Sequence, residues 1–269
     1  MSSRPDGGLI WVRPEPGVRK PRFSRDKIAA AALEIADTEG FEAVSMRRIA
    51  TELGAATMTL YNYVRTKDDL VALMHDAIMG EVIIPAGELP AAWREAVTLI
   101  AGRVRHALVR HPWALGALQE AQPGPNAMRR FEQFLAAVSG GELSTAQKFD
   151  LLTVVNAYVF GNALITVESR RRAEDAAADP ALVEEMFSFA ATQLASGEFP
   201  HTAKLMAEGG PGTAPSSGAA RGSDSDGGHD SRANAGPPMD EQGLDEQFQR
   251  GLDALLDGLT ARFAAASPA

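Results

Sequence analysis

The side chains best placed for chemistry are Thr57, Thr59, Asn62 and Tyr63, which follow Gly54 and fall on the outward side of a short helical pattern anchored by Leu60 and Val64. Hydroxyls, an amide and a phenol on one surface suit a DNA major groove. Such groups bond base edges or phosphates, and their apolar parts touch thymine methyls. The same spacing also fits a plain helical hairpin whose polar face meets water. Catalysis finds less support: no His-Glu-x-x-His, glycine-rich phosphate loop, dinucleotide fingerprint or Gly-x-Ser-x-Gly elbow occurs. His106 and His111 are five apart, off the i, i+4 register of a helical metal pair, and His201 and His229 lie in weakly patterned sequence. Asp68 and Asp69 are adjacent on a helix, so they do not converge on one substrate, and capping accounts for them. No enzymatic activity, cofactor or metal site is expected.

The elements that would hold this surface are legible from period and punctuation. Apolar residues recur every three or four positions at Ile28, Ala32, Ile35 and Ala36, at Met46, Ile49, Ala50 and Leu53, and at Leu70, Leu73, Met74, Ala77 and Ile78. Gly40 ends the first helix, Ser45 N-caps the second, Gly54 supplies the turn, and Thr66 with Asp69 forms a capping box that opens the fourth. Ala50 is small where the second and third helices must cross. Helical patterns resume at about 91–110, 112–121, 126–138, 145–172 and 180–196, with Ser144 and Gln147 as a second capping box and Asp179 followed by Pro180 as a cap with proline at N1. A last helix carries Phe248, Leu252, Leu255, Leu256, Leu259 and Phe263 on one broad face, which needs a partner surface.

The expected fold is therefore all-α: an N-terminal three-helix, helix-turn-helix DNA-binding domain joined by a fourth helix to a larger helical body. Residues 1–23 read as a disordered basic arm whose Arg4, Arg13, Arg19, Lys20 and Arg22 could lie along phosphates or merely solubilise. Residues 24–70 form the head and 71–269 the body, with a disordered Gly/Ser/Ala/Pro/Asp-rich insert at 207–238.

Charge follows the same division. The net charge is −9, but residues 1–67 carry 11 Lys+Arg against 8 Asp+Glu, or +3, leaving −12 on the remainder. An acidic body would repel phosphate and confine DNA contact to the front end. Cysteine is absent, which excludes disulfides, thiolate metal sites and cysteine nucleophiles and fits a reducing, cytoplasmic compartment. The mainly apolar run 151–167 spans 17 residues broken by Asn156 and Asn162, short of the ~20 a membrane helix needs, so a buried helix is expected and no membrane partner.

Residues 24–80 resemble the DNA-binding domain of the tetracycline-repressor family of bacterial regulators. The resemblance is carried, in order and spacing, by Ala31-Ala-Leu-Glu-Ile-Ala36, Gly40-Phe41, Val44-Ser-Met-Arg-Arg-Ile-Ala50, Leu53-Gly54, Thr59-Leu-Tyr-Asn-Tyr-Val64 and Lys67-Asp-Asp-Leu70. It implies a DNA surface made by Ser45 and Arg47 of the second helix, by Thr57, Met58, Thr59, Asn62 and Tyr63 of the recognition helix, and by Tyr61 and Lys67 against the backbone. Met58 fits packing as well as base contact, and Arg48 reads as part of a solvated face.

The body resembles the ligand-binding domain of the tetracycline-repressor branch through His111-Pro-Trp113, Gly124-Pro-Asn126, 155–161 and Gly251-Leu-Asp-Ala-Leu-Leu-Asp-Gly258. That implies a homodimer formed through helices near 145–172 and 244–264, a palindromic double-stranded operator, and release by a small-molecule inducer. The magnesium-tetracycline site of that branch uses a histidine where this sequence carries Ala117 or a neighbour, so the implied effector is an unknown small molecule rather than tetracycline itself. Trp93, His106, Trp113, Gln119, Phe131, Phe134, Asn156 and Phe160 are the candidate pocket residues, a mixed aromatic and sparsely polar set. Repression and activation are not separable from sequence, nor is a helical ligand-binding or interaction module that has lost specific DNA reading.

Overall fold

The computed structural model describes residues 8–16, 22–117, 122–140, 143–207 and 241–266. Among them the secondary structure is helical, with no strand: α1 Arg25–Glu39, α2 Met46–Glu52, α3 Thr57–Tyr61, α4 Lys67–Glu81, α5 Trp93–Arg110, α6 Ala114–Ala117, α7 Pro125–Ala137, α8 Thr145–Ala178, α9 Pro180–Ala195, α10 Pro200–Ala207 and α11 Glu241–Ala266. The chain divides into two compact units, one running to Val167 and resuming at Leu252, the other Glu168–Gly251. The division between the compact units falls inside α8 and α11.

The caps explain where helices start. Ser24 Oγ accepts from the Lys27 amide at 3.3 Å and Ser45 Oγ from the Arg48 amide at 3.2 Å, while Thr66 and Asp69 form the expected reciprocal box at the start of α4. Ser144 and Gln147 do the same at α8, with bonds of 2.8 and 3.3 Å. Asp179 Oδ1 takes the Leu182 amide at 3.0 Å, with Pro180 next in line, to open α9.

In the first unit, α1, α2, α3 and α4 share one core around Ile28, Ile35, Ile49, Leu60, Met74 and Ile78. Helix α4 also packs along α7, and the contact is polar at its centre. Asp76, buried on α4, accepts the Asn126 and Ala127 amides at 2.8 and 3.1 Å and so caps α7 from outside. That junction requires Gly124, because a Cβ there would collide with Asp76 and the Trp11 ring. Arg94 pairs with Asp253 and Asp257, tying α5 to α11.

In the second unit α9 and α10 have no buried residue. Leu182, Met186, Phe187, Phe189, Phe199, Leu205 and Met206 are exposed.

Several expectations are corrected. The segment 1–23 is not wholly a disordered arm: Ile10–Val12 form a 3-10 turn, Ile10 and Phe23 are buried in the head's core, and Arg13 reaches Asp69 at 2.5 Å. Four consecutive apolar residues, 9–12, outweigh the surrounding proline and glycine. Arg4, Arg19 and Lys20 lie outside the described residues, as do 208–238 of the insert, whereas Ala207 ends α10. Of the helix expected over 112–121, the described residues show the turn α6, Ala114–Ala117, and 118–121 lie outside them. By length and composition α8, at 34 residues, is long and apolar enough to cross a membrane, beyond the 17-residue run that the sequence marks. Its Leu151, Val155, Val159, Ala163 and Thr166 form one buried stripe, the mark of a helix packed along one side.

Candidate nucleic-acid interface

Gly54 makes the helix-turn-helix turn. Its φ of 59° lies where a side chain is strained, and the Ala55 amide closes back on the Ala50 carbonyl at 2.8 Å. Two arginines before and within α1 hold this region by its backbone: Arg22 donates to the Gly54 carbonyl at 3.3 Å and Arg25 Nε to the Tyr63 carbonyl at 3.4 Å. The turn and the end of α3 are thus fixed by groups outside the motif.

On this frame Ser45, Arg47, Met58, Tyr61, Asn62 and Lys67 are exposed, and Thr57 and Thr59 are half-buried. Met58, at 74% exposure, is not a packing residue. The adjacent arginines have separate roles. Arg48 is held by Glu39 at 2.6 Å and Glu52 at 2.8 Å, tying the end of α1 to α2, whereas no partner holds the Arg47 side chain among the described residues. The hydrogen bond from Arg48 pulls the Glu39 carboxyl below its ordinary range. Arg48 is therefore part of an ion-pair staple rather than an idle solvated face.

Tyr63 does not face outward as expected. It is 6% exposed and belongs to the core with Leu60 and Val64. Helix α3 stops at Tyr61, and the Tyr63 amide bonds the Leu60 carbonyl at 2.9 Å, which turns its ring inward. The signal was available: Tyr63 stands three residues after Leu60, the inward spacing.

At the opening of α4, Lys67 is the first helical residue, where the helix N-terminus favours a phosphate. Asp69 sets the first turn. Burial pushes its carboxyl up, but the Arg13 guanidinium and the Arg65 and Thr66 amides outweigh this and leave it below its ordinary value.

The candidate pocket residues differ in exposure. His106 is exposed on α5, as is Phe160 on α8; Phe134 is buried core, and Trp93, Phe131 and Asn156 are half-buried. Gln119 lies outside the described residues. Trp113 turns toward α1, where its Nε1 donates to Asp37 Oδ1 at 2.7 Å. A cavity of about 540 Å³ is lined instead by Trp11, Asp26, Leu33, Leu73, Asp76 and Arg129, among others, and by none of the candidates.

The body's buried polar centre was missed by sequence reading. Arg105, 8% exposed on α5, donates to Asn162 Oδ1 at 2.6 Å and Thr166 Oγ1 at 3.3 Å on α8. Burial raises the pKa of nearby Tyr158, with Arg105 opposing. Arg105 lies within an apolar helical period, so only its charge among Ala101, Ala107 and Leu108 could have marked it. Among the described residues no group of three or more His, Asp or Glu is placed to hold a metal.

Two family models match this chain: "Bacterial regulatory proteins, tetR family" over residues 28–74, and "Tetracyclin repressor-like, C-terminal domain" over 86–217. An HTH-type transcriptional regulator of Saccharopolyspora erythraea is 38% identical over 173 residues, covering 63% of this chain and 72% of that protein. The HTH-type transcriptional repressor DrrR1 of Streptomyces coeruleorubidus is 35% identical over 210 residues, covering 73% and 74%. Among solved structures, ActR of Streptomyces coelicolor in complex with actinorhodin superposes with a TM-score of 0.64 at 25% identity, covering 91% of this chain and 99% of that one. The matched models take in both the helix-turn-helix and most of the helical body, so this chain belongs to the tetR family of bacterial regulatory proteins.

Proposed function

We propose that the protein is a homodimeric repressor that binds a palindromic operator through α2 and α3 and is released by a small molecule held in the helical body. The observation that carries this reading is the exposed set Arg47, Met58, Tyr61 and Asn62 on a glycine-turned helix pair, with Lys67 at the adjoining helix start. In this reading Ser45, Arg47, Thr57, Met58, Thr59 and Asn62 meet the groove, while Tyr61 and Lys67 meet the backbone. Tyr63 supports α3 from beneath. DrrR1 is named a repressor, and ActR takes actinorhodin, which supports repression and a small-molecule effector.

Dimerisation supplies the second recognition helix, which must lie ~34–36 Å from the first to enter the next major groove. The exposed Phe149, Val154, Phe160, Leu164 and Ile165 of α8 support pairing through that helix, with α11 alongside. Effector binding would change operator affinity only by favouring one spacing of the two heads over another. The cytoplasm is the compartment where such a regulator meets DNA.

The arginine pair offers the test. Fluorescence anisotropy with the best duplex selected from a random pool should find that Arg47→Ala costs ~1–3 kcal/mol and relaxes preference at one base position. Arg48→Ala should lower thermal stability and leave base preference intact. Equal base discrimination in Arg47→Ala and wild type would reject the docking.

A further inference from the structure

The His111-Pro-Trp113 motif ends α5, in the body, yet its side chains are spent on the head. His111 is 1% exposed; its Nδ1 lies 2.8 Å from Asp37 Oδ1 on α1 and its Nε2 3.3 Å from Glu81 Oε2 at the end of α4. Trp113 Nε1 donates to the same Asp37 oxygen. Pro112 breaks the helix between them, so both rings can approach one carboxylate from a turn instead of from successive faces of a helix.

Trp113 also stacks on Phe41, with centroids 5.4 Å apart and planes 10° from parallel. Phe41 begins the 3-10 turn after α1. The Lys67 ammonium, at the first position of α4, lies 5.5 Å from the centre of the Phe41 ring, within cation–π range. A contiguous path thus runs from the end of α5 to an exposed lysine at the DNA-facing side of the head.

We infer that Trp113 and Phe41 are positioning residues for Lys67: an aromatic platform, its Trp113 tied to α1 by Asp37, that aims the ammonium at the DNA backbone. A lysine on a four-carbon stem loses rotamer freedom when it meets a phosphate, and a ring beneath its head removes part of that loss beforehand. Phe41 is half-buried and packs against the head's core, leaving one face of its ring to the stack with Trp113. Trp113 supplies the plane, and Trp113 is itself keyed by a hydrogen bond. Any displacement of the 111–113 turn therefore moves the platform and weakens the grip, a route from body to DNA separate from the recognition helix. This inference rests on the reading that Lys67 meets phosphate.

The test uses the full-length protein and a random-sequence duplex pool, because a backbone contact does not need the operator. The readout is the slope of log affinity against log salt, which falls by about one per lost phosphate contact. Lys67→Ala should reduce the slope by about one per protomer. Trp113→Leu and Phe41→Leu should weaken binding several-fold and reduce the slope in the same direction. In the Lys67→Ala background neither should add a further loss. Trp113→Phe, which keeps a ring to stack but loses the bond to Asp37, should fall between wild type and Trp113→Leu. If Trp113→Leu fails to fold by thermal melting, Phe41→Leu carries the cycle. Equal losses with and without Lys67, or an unchanged slope in Phe41→Leu, would overturn the platform while leaving the phosphate contact standing. An unchanged slope in Lys67→Ala itself would remove the contact, and the platform with it.

Discussion

Helices α1–α4 and the pair α9–α10 are equally regular, and they treat their large apolar residues in opposite ways. In the head Ile28, Ile35, Ile49, Leu60, Met74 and Ile78 are buried to below 2% exposure, while in α9 Met186 is 63% and Phe189 66% exposed. Local signals make a helix in both places: Ser24 and Ser45 cap in the head, and Asp179 with Pro180 starts α9. What differs is the supply of a second surface. The head's helices are covered by one another and by residues such as Ile10, Ala107 and Ala114 of the same chain, so its core forms within one protomer. The lesson is that capping sets where a helix lies along the sequence, and burial decides whether its apolar face is part of a core.

Substitutions should separate the two regions. The largest effect is expected for Leu60→Ala, which removes a fully buried side chain at the foot of α3. It should cost ~2–5 kcal/mol in urea unfolding at any protein concentration and abolish DNA retention. Next comes Gly124→Ala at the α4–α7 junction. The added methyl must displace Asp76 or Trp11, a loss of ~1–3 kcal/mol measured the same way, and a neutral result would mean the junction yields freely.

A smaller effect concerns acid. Burial holds the His75 imidazole below its ordinary value of 6.5, with Arg130 reinforcing and Asp76 opposing. The unfolded chain then binds the proton more readily, so this contribution to stability is intact above about pH 6.5 and is lost as pH falls through the depressed folded value. The slope cannot exceed ~1.4 kcal/mol per pH unit, and thermal melts from pH 7.5 to 5.5 should flatten in His75→Gln. The smallest effect on the protomer is expected in α9, where Phe189→Ser should change dilute-solution stability by no more than ~0.5 kcal/mol. A loss comparable with Leu60→Ala that persists on dilution would erase the contrast between the regions.

Much of this was legible in the sequence because the signals are local. The capping boxes at Thr66 and Ser144, the glycine turn and the inward Leu60 and Val64 all act within a few residues. Tyr63 was misplaced because helix α3 was extended past its real end, and Ile10 because composition was weighed over a window that diluted four apolar residues. The roles of Arg48, Asp76, Arg105 and Trp113 depend on partners from nine to seventy-six residues away, which periodicity within one helix does not identify. Aromatic type likewise predicts burial, not which void a ring borders, so the sequence offers pocket candidates without placing them around one cavity.

The central claim is that two copies of the Gly54-turned helix pair read one duplex together. Selecting bound duplexes from a random pool with the purified protein tests it most directly. The account predicts enrichment of a twofold-symmetric sequence with half-sites about one helical turn apart, ~10–10.5 base pairs centre to centre, or a multiple of it. Recovery of a single asymmetric half-site, or of no sequence above the starting pool, would contradict it.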